Sequence, residues 1–137
     1  LFTLSAKAVY GLTALVELAL HHGAGPLQIG EIARRHAIPQ HYLEQILSSL
    51  RRGGYVRSFR GARGGYELAR AAETIAVGDV LAELDGPVGI LPTGTAGGSL
   101  QPFWEELEDQ VTRFLQRSLG DIARRFGTIG TDADFMI

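Results

Sequence analysis

Gln40, His41 and Tyr42, followed one helical turn later by Glu44, Gln45 and Ser48, are side chains of the kind that read base-pair edges. Gln can pair bidentately with adenine, and Glu can accept from the amino group of cytosine. Arg51, Arg52, Arg57, Arg60 and Arg63 follow within a short span and suit phosphates. Arg60 leads into Gly61-Ala62-Arg63-Gly64-Gly65, a run thin enough to carry a cation into a narrow minor groove. Gln28, ahead of this stretch, completes the candidate DNA-facing set.

Other chemistries are poorly supplied. The chain has no cysteine, which removes disulfides, thiolate metal sites and a cysteine nucleophile together. His21 and His22 are adjacent, so on a helix they point about 100° apart. His36 and His41 lack partners at ligand spacing in the sequence, so no metal and no cofactor are expected. Glu105, Glu106, Glu108 and Asp109 read as the solvated start of a helix rather than an acid/base cluster. No Ser/His/Asp arrangement stands out, and the Gly61–Gly65 run sits in a hairpin rather than between strand and helix. The expectation is a protein that is not an enzyme.

Positioning the candidate residues requires two short helices, a tight turn and a hairpin. Apolar residues at three- and four-residue spacing, Val9, Leu12, Leu15, Val16 and Ala19, predict a helix over 5–21 that stops at Gly23-Ala24-Gly25-Pro26. A second helix is predicted over 29–36, with Ile29, Ile32 and Ala33 inward. After the turn Ala37-Ile38-Pro39, a third runs over 40–52, carries Leu43, Ile46, Leu47 and Leu50 on one stripe, and ends at Gly53-Gly54. Strands are predicted over 55–60 and 66–68, joined by the glycines that a tight hairpin needs. A helix over 77–84 precedes an uncharged segment, Val88–Leu100, with five glycines or prolines, expected to be a mobile loop. Pro102 then opens a long helix to about Arg117, with Glu105, Glu106 and Glu108 near its positive end. Ser118 caps a short last helix through Phe126, and residues 127–137 show no periodicity. The fold class is mainly α with a small β-hairpin wing: a winged helix-turn-helix domain plus a long C-terminal dimerisation helix. The expected divisions are 1–86 for DNA binding, 87–101 for the loop, 102–126 for dimerisation and 127–137 for the tail.

The net charge of −2 argues against DNA until its distribution is read. Residues 1–72 hold nine Lys/Arg against four Asp/Glu (+5), and residues 73–137 hold four against eleven (−7). A basic half facing nucleic acid and an acidic half turned away fit that division. No apolar run approaches a membrane span, and the first nine residues have a single charge, Lys7, and no cleavage site, so a cytoplasmic protein without a leader or membrane partner is expected. The stripe Phe103, Leu107, Val111, Phe114 and Leu115 exceeds what a core this small needs, which points to a homodimer.

Three stretches carry a family resemblance: Ser5-Ala6-Lys7 with Tyr10-Gly11-Leu12, His41-Tyr42-Leu43-Glu44-Gln45-Ile46-Leu47, and Arg60-Gly61-Ala62-Arg63-Gly64-Gly65-Tyr66. Together with Ile75–Val80 and Trp104-Glu105-Glu106-Leu107, they resemble the signatures of the Rrf-two family of transcriptional regulators over roughly residues 4–126. The resemblance implies a winged-helix dimer in which the long helices cross, bound to a two-fold operator on double-stranded DNA. Gln40 to Gln45 would read bases and Arg60 would enter the minor groove.

One departure is instructive. Cluster-binding members place three cysteines in the loop before the long helix, where this chain has none; Ser99, Gln101 and Val9 stand where other members use ligands. The resemblance therefore leans toward the cluster-free, CymR-like members, as do Asp85-Gly86-Pro87 and the ending Phe135-Met136-Ile137. That subgroup implies a role in cysteine metabolism, with cysteine synthase as the partner capturing Phe135, Met136 and Ile137. Two alternatives stay open: a regulator acting through that tail, and a cluster-sensing member whose cysteines were removed.

Overall fold

Ser5 starts the first helix. In the computed structural model, which describes residues 3–127, its side chain accepts a hydrogen bond from the Ala8 N–H (3.1 Å), capping α1 (Ala6–Leu20). The inward arc of α1 is Ala8, Gly11, Ala14, Leu15 and Leu18. Gly11 lets α1 approach α4 closely, since a Cβ there would meet the end of the Leu84 side chain and require it to shift.

Helix α2 (Ile29–His36) ends at Ala37, whose φ of 53° turns the chain sharply. The Ile38 N–H closes the turn on the Ala33 carbonyl (2.9 Å), and Ile38 is buried. Pro39 then caps α3 (Gln40–Arg52), whose Leu43, Ile46, Leu47 and Leu50 are fully buried. Each such side chain contributes roughly 1.5–3 kcal/mol on burial, which makes the inner face of α3 the centre of the core.

Strands β1 (Val56–Phe59) and β2 (Gly65–Leu68) pair antiparallel, with Val56 opposite Leu68, Arg57 opposite Glu67, Ser58 opposite Tyr66 and Phe59 opposite Gly65. Leu27 adds a bridge to Tyr66, through two backbone hydrogen bonds of 2.8 Å, that periodicity did not reveal. The segment before α2 thereby becomes a third edge of the wing.

The C-terminal part corrects three expectations. Helix α4 (Val77–Asp85) begins where predicted, but its first N–H groups donate to carbonyls far along the chain: Val77 to Arg117 (2.9 Å) and Gly78 to Leu115 (2.8 Å). The long helix α5 (Gln101–Phe114) therefore ends three residues short of Arg117, since those carbonyls face α4. It also starts one residue before Pro102, and its first turn holds no acid. Glu105, Glu106 and Glu108 lie beyond the reach of the helix's positive end, so the expected dipole compensation is absent. Ser118 does cap α6 (Leu119–Ile122), accepting from the Asp121 N–H, and the last helix passes into a π-type turn over Ala123–Gly127. Leu119 is fully buried and its N–H donates to the Ile75 carbonyl (2.7 Å), so the chain returns to the first core after α5. Among the described residues no helix is long and apolar enough to cross a membrane.

Candidate nucleic-acid interface

The buried stripe of α3 fixes which of its residues face out. Gln40, His41, Glu44 and Gln45 are exposed on the side opposite Leu43, Ile46 and Leu47. They form a linked polar surface: the Gln45 amide nitrogen lies 3.5 Å from His41 Nε2, and His41 Nδ1 lies 3.9 Å from a Glu44 oxygen. The wing stands alongside. A crevice runs between it and the starts of α2 and α3, bordered by Gln28, Gln40, Ser58, Phe59 and Arg60, and no carboxylate lines it.

Two contacts set the wing's pose. Gln28 Nε2 donates to the Ala62 carbonyl at the hairpin tip (3.2 Å). Gly65, at φ +141°, lies so close to the Leu27 carbonyl that any Cβ would clash with backbone. Arg60 and Arg63 are exposed at the end of this braced hairpin. Arg51 reaches across from α3 and donates to Ser58 (3.3 Å), joining helix and wing.

The remaining candidates sit differently. Tyr42 is half-buried, its ring edge-on to Tyr10 (5.9 Å, 84°), so it holds α3 against α1. Ser48 is half-buried and accepts from Arg52 (2.9 Å). Arg57 donates to Glu67 across the strands (2.9 Å) and borders a separate small pocket beside His21 and His22. Its charge is thus partly answered within the protein.

Helix α5 contains no buried residue. Phe103 (55% exposed) and Phe114 (60%) are open to solvent, Leu107 and Val111 are half-exposed, and Leu115 packs partly on the chain's own core. An apolar groove along the outer face of α1 is lined by Leu4, Val9, Leu12, Val16, Leu20 and Phe126. Phe135, Met136 and Ile137 lie outside the described residues.

Sequence reasoning missed one polar hub. Glu17, only 8% exposed, accepts from Arg35 Nη1 (3.0 Å) and from His36 Nε2 (2.9 Å), and His21 Nδ1 lies 3.1 Å from it. Arg35 also bonds Glu31, whose carboxyl is held below its ordinary range chiefly by the Arg34 hydrogen bond. A carboxylate inside an apolar helix, with Arg-Arg-His at 34–36, was the available signal. The hub fastens α2 to α1.

The Rrf2 family model, described as iron-dependent transcriptional regulator, matches residues 4–125. CymR, an HTH-type transcriptional regulator of Bacillus subtilis, is 46% identical over 85 residues, 62% of this chain and 62% of that protein. The match thus spans less than two thirds of CymR. IscR, an HTH-type transcriptional regulator of Escherichia coli, is 37% identical over 127 residues, 87% of this chain and 78% of that protein. A solved structure of CymR, described as the global cysteine regulator of B. subtilis, superposes with a TM-score of 0.84 at 36% identity, covering 90% of this chain and 98% of that one.

Iron dependence in the family requires donors, and this chain supplies few. The sequence contains no cysteine, and residues 86–100, between α4 and α5, hold no cysteine, histidine or carboxylate. Among the described residues no group of three or more His, Asp or Glu is placed to hold a metal ion. The residues present do not fit an iron–sulfur cluster.

Proposed function

Because the chain belongs to the Rrf2 family of transcriptional regulators, we propose that it binds a two-fold operator on double-stranded DNA as a homodimer, without an iron–sulfur cluster. The exposed face of α3, flanked by a braced wing ending in Arg60 and Arg63, carries the reading. Gln40, His41, Glu44 and Gln45 enter the major groove and read base edges. Arg60 and Arg63 reach the neighbouring minor groove, and Arg51 contacts phosphate. Gln28, Tyr42, Ser48 and Arg57 support this surface through the contacts described above. A two-fold operator needs two such surfaces, and the apolar stripe of α5 supplies the means: Phe103, Leu107, Val111 and Phe114 pair with a second copy. The test is a gel shift on the promoter of the chain's own operon across a salt series. Binding that weakens steeply with salt supports the reading, and absence of a shifted band at low salt overturns it.

The likeness to a global cysteine regulator favours a second, compatible role. Sulfur metabolism is then the regulated process, and the tail residues Phe135, Met136 and Ile137 dock into cysteine synthase, the terminal carboxylate meeting donors shaped for an amino-acid substrate. Titration calorimetry against the intact chain and a version lacking Ile137 tests this. Equal affinity for both, or none for the intact chain, removes the tail from the mechanism.

A further inference from the structure

Two aromatic residues line the crevice, half-buried Tyr66 and exposed Phe59, and the exposure of Phe59 follows from the fold. It ends β1 and is 44% exposed. Its cross-strand partner is Gly65, which offers no side chain to cover it. That gap is permanent, because the left-handed φ of Gly65 and the Leu27 backbone beside it exclude any larger residue. The polar residues along the crevice are Gln28, Gln40, Ser58 and Arg60; Ile29, Tyr66 and glycines complete its lining, and no acid is among them. An apolar ring held open among amides and a cation suits a ligand that is itself part apolar and part anionic.

The two walls say which ligand. One wall is the start of α3, which the DNA-binding reading sends into the major groove; the other is the wing, which it sends into the minor groove. What separates adjacent grooves of a duplex is a single sugar–phosphate strand, whose phosphates are anionic and whose deoxyribose rings are its apolar surface. We propose that Phe59 seats against deoxyribose of the strand that passes between the grooves, gripping the backbone independently of sequence while Gln40 and Arg60 reach past it into the two grooves. This rests on the DNA-binding reading.

The contact predicts a signature unlike that of a phosphate or base contact. A ring on sugar gives affinity without neutralising phosphate, so it leaves the salt dependence of binding untouched. It also ignores base identity, including the thymine methyl that a Phe meets in the major groove. The experiment selects a duplex from a randomised pool with the full chain, then measures binding by fluorescence anisotropy across a salt series. The duplex and a copy with uracil in place of thymine are compared.

Phe59→Val keeps an apolar, strand-favouring residue but is too short to reach, and is expected to weaken binding about tenfold on both duplexes with an unchanged salt slope. Phe59→Tyr keeps the ring and is expected to bind as the parent chain does. The thermal midpoint of both variants stays near the parent value, because the ring is already exposed. Full affinity in Phe59→Val overturns the proposal. So does a loss that disappears on the uracil duplex, which marks a thymine contact, or a changed salt slope, which marks a phosphate effect. A parent chain that retains no duplex at all overturns the DNA-binding reading and this inference with it, whereas the other outcomes overturn this inference alone.

Discussion

Arg60 and Gln40 border the same crevice from opposite walls, yet the chemistry of each assigns it a different task. A guanidinium at the tip of a thin hairpin gains most where the minor groove is narrow and its potential most negative. Arg60→Ala should therefore lose most affinity on A/T-rich flanks and lower the salt slope by about one. Gln40→Ala should instead relax base preference at one position per half-site, at about 1–3 kcal/mol, with the slope preserved. Binding measured on a panel of flank and core variants checks both, and equal losses across all sequences would merge the two roles. A different residue ties the start of the fold to its middle. Asp85, at the end of α4, accepts from the hydroxyl and from the backbone N–H of Ser5 (N–H to carboxylate 2.9 Å), and the side-chain bond foremost holds its carboxyl below the ordinary range. A lowered folded pKa means that the link contributes stability above the unfolded value, about 3.9, and loses it as pH falls through the folded value. Asp85→Asn should melt earlier than the parent at pH 7, and the gap should narrow as the pH drops below about 4. A gap that widens in acid would show that another group governs the acid limb.

Elements rather than single residues decide how the wing stands, and here the sequence spoke unevenly. The apolar stripe of α3 and the glycines after it marked both ends of that helix correctly, because its period and its stop signals are local. The hairpin was legible for the same reason. Its third edge was not: Leu27 joins Tyr66 through backbone alone, and no side-chain pattern announces a single bridge nearly forty residues away in sequence. The end of α5 was also misplaced, since Leu115 and Arg117 continue its apolar and basic pattern while their carbonyls leave to cap α4. Among the candidate site residues, Gln40, His41, Glu44 and Gln45 were legible as the polar complement of the buried stripe. The brace from Gln28 to Ala62 was not, because it is a tertiary hydrogen bond across thirty-four positions. The hidden edge can be probed. Gly65→Ala places a Cβ against the Leu27 backbone in a conformation that costs a non-glycine residue about 1–3 kcal/mol. The expected result is faster amide exchange at Leu27 and Tyr66, with protection at Leu43 and Ile46 retained. Unchanged exchange at Leu27 would mean that the edge bends away without loss.

The whole molecule divides its charge and its apolar surface in a way that one chain alone does not resolve. Its basic residues crowd the first half, around the wing and α3, and its acids are concentrated in the second half of the sequence, four of them on α5. In the proposed complex such a division suits a C-terminal half turned away from phosphate. Helix α5 is fourteen residues long and buries none of them, near the length at which an isolated helix is only marginally stable in water. Its exposed Phe103 and Phe114 sit eleven positions apart, close to three helical turns, so they share one face with Leu107 and Val111. The groove along α1 offers apolar surface on the same chain. In the proposed homodimer, pairing with a second copy would cover such a face, stabilise the helix and set two α3 helices at a fixed separation. The double variant Phe103→Glu with Phe114→Glu places four carboxylates across a paired interface, two from each chain, where apolar contact is expected. Light scattering should report the mass of one chain in place of two, and circular dichroism should show a loss of helix about the length of α5. Affinity for a two-fold operator should fall toward that of a single half-site, while non-specific binding at low salt persists through the untouched wing. A variant that keeps the paired mass would place the interface elsewhere than the Phe103–Phe114 face, and a parent chain of single mass would remove the paired operator from the proposal.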